Sequence, residues 1–90
     1  MSAHIFILGF VQGVGFRGFA RSNAQKLGLK GWVKNLSDGR VEITAQGPKE
    51  TIEKLIRICE KGSFFADVKS IVVDWEEKEE QLEGFEIIHD

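Results

Sequence analysis

The stretch Val11-Gln-Gly-Val-Gly-Phe-Arg17 has residue types suited to holding an anion. Glycine at positions 13 and 15 lets the backbone curl without a Cβ penalty. Successive N–H groups can then face one concavity, a nest for negative charge. A helix starting just after this loop adds its unpaired first-turn N–H groups and the positive end of its dipole. Arg17, at that helix start, adds a planar and permanently charged fork matched to phosphate oxygens. Together they point to a phosphate-like dianion; the plainer alternative is a glycine turn with a surface arginine. A second polar group, Asn35, lies in Gly31-Trp-Val-Lys-Asn35 at the end of an expected strand. Its amide both donates and accepts, so it could fix a water beside a bound phosphate. An asparagine there could equally cap the following turn.

These groups need elements to position them. His4 to Phe10 is an almost wholly apolar run, read as a buried central strand. Phe16, Phe19, Ala20, Ala24 and Leu27 recur at spacings of three and four, predicting an amphipathic helix over 17–27 that stops at Gly28. Residues 29–36 and 40–47 read as a hairpin around Ser37-Asp38-Gly39, the second strand alternating Val41, Ile43 and Ala45 inward. Gly47-Pro48 opens a second helix with the stripe Ile52, Leu55, Ile56 and Cys59, ended by Gly62. Val68 to Trp75 alternates again, an acidic stretch runs from Glu76 to Glu83, and Phe85 to Ile88 reads as a short last strand. The expected fold is a ferredoxin-like βαββαβ sandwich of class α+β. It has an antiparallel sheet, two helices on one face and a short C-terminal strand. In that fold the first two strands run in the same direction, which brings residues 11–17 and 35–39 to one edge of the sheet.

The loop also spells Gly13-x-Gly15-x-x-Gly18, with Asp38 about 20 residues on, the written form of a dinucleotide fingerprint. A doubly wound nucleotide fold needs parallel neighbouring strands and a longer chain, whereas here the second strand turns straight back. That reading is rejected. Other polar groups are weaker candidates. Cys59 sits in a helical apolar stripe and reads as core. By element order His4 and His89 are both expected away from the pocket, and Phe64 and Phe65 are expected to cover the sheet end.

Composition narrows the classes further. Residues 1–90 are expected to form a single domain, with 42% hydrophobic and 29% charged residues. The net charge of −2 argues against nucleic-acid or anionic-membrane binding. One cysteine and two histidines make neither a disulfide nor a plausible metal set, so no cofactor is expected. Neither a signal peptide nor an apolar run near the ~20 residues of a membrane span is evident. A cytoplasmic monomer is expected.

Two stretches, Gly9-Phe-Val-Gln-Gly-Val-Gly-Phe-Arg17 and Gly31-Trp-Val-Lys-Asn35, resemble the paired signatures of the acylphosphatase family. The resemblance extends through Leu27-Gly-Leu-Lys-Gly-Trp-Val, Asn35-Leu-Ser-Asp-Gly-Arg-Val-Glu, Gly47-Pro and Gly84-Phe, covering nearly the whole chain. It implies cofactor-free, metal-free hydrolysis of acyl phosphates to a carboxylate and inorganic phosphate, the latter also a competitive ligand. Carried over, Arg17 would hold the phosphoryl oxygens with the backbone N–H groups of Gln12, Gly13, Val14, Gly15 and Phe16, and Asn35 would orient the attacking water. Phe10, Gly18 and Ser63-Phe64 depart from the family's usual residues, and none carries the expected chemistry. The alternative is a non-catalytic phosphate- or partner-binding module on the same scaffold, like the domain within hydrogenase maturation factors. A chain ending at Asp90 without a further domain, and holding both Arg17 and Asn35, favours the enzyme.

Overall fold

A computed structural model of the chain describes residues 1–89. The elements run in the order β1 (Ser2–Phe10), α1 (Phe16–Lys26), β2 (Lys30–Asn35), β3 (Val41–Gln46), α2 (Lys49–Lys61), β4 (Asp67–Glu76) and β5 (Phe85–Ile88). The five strands make one sheet in the order β4-β1-β3-β2-β5. Four of them form the antiparallel ferredoxin-like core. The sheet as a whole is mixed, because β5 joins β2 in parallel, Gly31 opposite Phe85 and Val33 opposite Ile87. The expected βαββαβ core with a short C-terminal strand is what forms, and that last strand runs along the outer side of β2 in the same direction as its neighbour.

The core lies between the sheet and the helices. Ala3, Ile5 and Ile7 of β1 are fully buried with Val33, Val41, Ile43, Ala45, Ile52, Leu55 and Cys59. Burial pushes the Cys59 thiol up to about 12, as fits a core residue. The continuous apolar run of β1 suggested burial on both faces. Only the face of Ala3, Ile5 and Ile7 packs under the helices; Phe6 and Leu8 on the other face are half-buried. Arg40 covers part of the open face, its guanidinium carbon 5.1 Å from the Phe6 ring centre. Helix α1 ends as Gly28 requires: Gly28 N–H donates to Gln25 O at 3.0 Å and Leu29 N–H to Ala24 O at 3.0 Å, a Schellman closure. Phe64 and Phe65 do not cover the sheet end; both are exposed, their rings edge-on to one another within the α2–β4 loop.

The β1–β4 ladder shifts register between Leu8 and Gly9, just before the glycine loop. Such a bulge bends the strand and re-aims the residues beyond it. Gly9 has φ +137°, and a Cβ there would overlap the carbonyl oxygen of Asp67 on β4. Both the backbone angle and the close approach therefore demand glycine. Gly9→Ala is expected to cost about 3 kcal/mol, or roughly 12–24 °C in Tm, read by thermal unfolding monitored by circular dichroism.

Candidate active site

β3 runs antiparallel to both β1 and β2, so the ends of β1 and β2 emerge at the same sheet edge. Between Phe10 and α1 the chain is anchored at both ends by apolar side chains, Val11 and Phe16, each only 1% exposed. Phe16 also packs on Phe19 with ring centres 5.7 Å apart. Burying one such aromatic is worth about 2–3 kcal/mol, enough to hold the short arch between them against the sheet. Gly13 and Gly15 both take left-handed angles, φ +74° and +78°, with open space where a Cβ would be. Conformation rather than crowding calls for glycine here.

Gly15 is the N-cap of α1, and no side chain caps the helix there. The first turn carries no acidic residue either. Its unpaired N–H groups and dipole are left to whatever occupies the space in front of them. That space is a hollow of about 150 Å³. The loop contributes Val11, Gly13, Gly15 and Phe16, and α1 contributes Arg17 and Gly18. β2 contributes Asn35, β5 contributes Ile87, and His89 follows directly after β5. Arg17 and Asn35, 18 residues apart in sequence, thus line one hollow. No carboxylate lines it among the described residues.

Asn35 does not cap the hairpin turn. Asp38 does, accepting from Arg40 N–H at 3.1 Å and Arg40 Nε–H at 2.8 Å. The Asn35 side-chain oxygen is buried and without a hydrogen-bond partner among the described residues. A buried acceptor left so costs about 1–3 kcal/mol. The Asp38 carboxyl is held below its ordinary 3.8 by the Arg40 backbone N–H and then by the guanidinium. A lowered folded-state value stabilises the fold above about pH 4 and is lost as pH falls further.

Two placements were not visible in the sequence. The Gln12 side chain is a strut, its Nε2 donating to Leu36 O at 2.8 Å and Arg40 O at 2.9 Å. It ties the glycine loop to the turn after Asn35. His89, expected far from the pocket, lines it. His4 does lie elsewhere, on the open sheet face, with Nδ1 3.1 Å from Thr44 Oγ1 and Nε2 3.4 Å from Glu76 Oε1. A larger hollow of about 530 Å³ occupies the opposite sheet edge. Glu79, Glu80 and Glu83 rim it, and their negative charge makes it a poor site for a phosphate.

Comparison with known proteins bears directly on this geometry. The family model for acylphosphatase matches residues 3–87. The chain belongs to the acylphosphatase family. It is 44% identical over 86 residues to an acylphosphatase of a Roseiflexus species, covering 96% of this chain and 92% of that one. The crystal structure of acylphosphatase from Bacillus subtilis superimposes with a TM-score of 0.94 at 41% identity, covering 97% of each chain. Full-length HypF in its phosphate- and nucleotide-bound form is similar at 32% identity and a TM-score of 0.84; the match covers 99% of this chain and 12% of that one. The two signatures and the fold around them are therefore those of an acylphosphatase, an enzyme acting on acyl phosphates.

Because the Gln12 strut links two otherwise independent loops of this acylphosphatase, Gln12→Leu is expected to cost about 1–2 kcal/mol in urea unfolding and to lower kcat by about tenfold. Unchanged kcat in a stable, folded variant would mean the loop holds its place without the strut. In acid, wild-type stability is expected to fall more steeply below about pH 4 than that of Asp38→Asn, which has no carboxylate to lose.

Proposed function

We propose that this acylphosphatase binds the phosphoryl group of its substrate with Arg17 and the backbone N–H groups of Gln12, Gly13, Val14, Gly15 and Phe16, and that Asn35 orients the attacking water. The observation that carries the reading is the single hollow lined by an uncapped helix start, Arg17 and Asn35, whose side-chain oxygen has no partner among the described residues. The first two suit a dianion and the third suits a water beside it.

The chemistry asks little more of the protein. An acyl phosphate is a mixed anhydride whose leaving group is a carboxylate, stable without a proton near about pH 7, so no general acid is required. Phosphoryl transfer is mostly positioning and charge stabilisation. Fixed N–H donors and the guanidinium face the oxygens over which charge spreads in the transition state. Asn35, with its amide oxygen accepting from the water, removes the water's orientational freedom. Oxygen attacks phosphorus as the bond to the carboxylate oxygen breaks, and the water's proton passes to a phosphoryl oxygen or to solvent. The acting unit is the single domain over residues 1–90, a cytoplasmic monomer that needs neither metal nor cofactor, releases inorganic phosphate and is competitively inhibited by it. This reading involves no nucleic acid and no membrane; among the described residues no helix is long and apolar enough to cross one.

Hydrolysis of benzoyl phosphate in the presence of EDTA, with phosphate as competitor, tests the assignments. Asn35→Ala is expected to lose at least ~10²-fold in kcat while phosphate still inhibits. Arg17→Lys keeps a charge but loses the fork, so Ki for phosphate rises by about tenfold or more and kcat falls with it. Substantial turnover by Asn35→Ala would remove its water-orienting role, and loss of wild-type activity in EDTA would remove the metal-free reading.

A further inference from the structure

The parallel register of β5 on β2 has a consequence at the site. Ile87 lies opposite Val33 and Ile88 opposite Lys34, so the next step places His89 beside Asn35. Side chains alternate along a strand. Val33 is buried under the helices and Ile87 packs against the same core, so Asn35 and His89 share the helix-facing side of the sheet. His89 accordingly lines the hollow with Arg17 and Asn35. α1 packs on β5, with Gln25 Nε2 donating to Phe85 O at 3.2 Å, so the strand carrying His89 is held against the helix that carries Arg17.

We propose that His89, as imidazolium, is a second cationic residue for the substrate's phosphoryl group, making substrate binding stronger on the acidic side of neutrality. The inference rests on the phosphate-binding reading above. The charged groups around the ring are consistent with it. From α1 the charged group that lines the hollow with it is Arg17. From β2 the neighbour is Lys34, which lies on the opposite face with its ammonium 5.1 Å from the Trp32 ring centre. Glu86 of β5 alternates to that opposite face as well. A bound dianion attracts a positive charge on the ring, so binding and protonation of the ring support one another. The same coupling argues against His89 as the base for water, because a ring charged by the bound phosphate has no lone pair left to accept a proton.

The test compares wild type with His89→Gln and His89→Lys, each checked for folding by its thermal transition. Phosphate Ki and benzoyl phosphate KM are read at about pH 5.5 and about pH 8. Phosphate's own titration is common to all three proteins and cancels in the ratios. His89→Gln is expected to weaken phosphate by about tenfold at the acid pH and by less than about twofold at the alkaline one, the loss falling on KM and Ki more than on kcat. His89→Lys is expected to keep tight binding at both. A Gln-to-wild-type ratio near one at both pH values overturns the proposal. So does an equal loss at both pH values that lysine fails to restore, which would mark packing rather than charge. A loss confined to kcat on the acid limb would make the ring a base and would overturn it too. If phosphate fails to inhibit even the wild type, the anion cradle itself fails and this proposal with it. That outcome is distinguishable, because it does not depend on residue 89.

Discussion

Ladder hydrogen bonds tie β3 antiparallel to β1 on one side and to β2 on the other, so β1 and β2 point the same way and end at one sheet edge. Everything at the site hangs from that alignment. The loop after β1 and the last residue of β2 become neighbours although neither has any local tendency to meet the other. The core then holds the alignment: Ile5, Ile43 and Val33 lie in register across three strands and are fully buried. A slip of one residue in either pairing would turn Asn35 to the open face and leave Arg17 without it. The Gln12 strut acts on a finer scale, setting the loop against the β2–β3 turn once the strands have brought the two together.

Electrostatics runs along the same axis. The chain is net negative, yet the hollow at the Asn35 edge is lined by an arginine and a histidine and, among the described residues, by no carboxylate. Glutamates 79, 80 and 83 gather at the opposite edge, where Glu79 also pairs with the N-terminal ammonium at 2.8 Å. A small anion approaching this molecule therefore meets a field that varies from one end to the other. The total charge conceals that asymmetry.

Much of this was legible in residue order. Helix periodicity, Gly28 past the end of α1 and the alternation of Val41, Ile43 and Ala45 each carry a local physical signature, and the elements form where those signatures lie. Arg17 and Asn35 could be brought together on paper because the fold class fixes strand direction. The remainder depended on long-range placement. Nothing near Gln12 in sequence announces that its amide bridges to carbonyls 24 and 28 residues away. His89 was misjudged because its neighbourhood depends on where the last strand docks, and docking in parallel beside β2 is a tertiary choice. Phe6 and Leu8 misled for a related reason: an apolar run reports burial tendency, and whether a second layer covers that face is decided by the helices.

The local rules of stability are broken most densely where the site lies. α1 begins without a capping side chain, which with glycine in that place costs only a few tenths of a kcal/mol, and Gly15 with φ +78° occupies the position a serine or aspartate would take. Asn35 buries an oxygen with no partner among the described residues. Each feature alone is a small defect; together they belong to residues that line one hollow and are complementary in kind, donors at the helix start and an acceptor on Asn35. A phosphoryl group with its attacking water would satisfy both sets at once. Binding there would stabilise the folded chain by linkage, since the unfolded chain has no such arrangement to offer. The fold tolerates these defects because the anchoring residues on either side, Val11, Phe16 and Val33, are fully committed to the core.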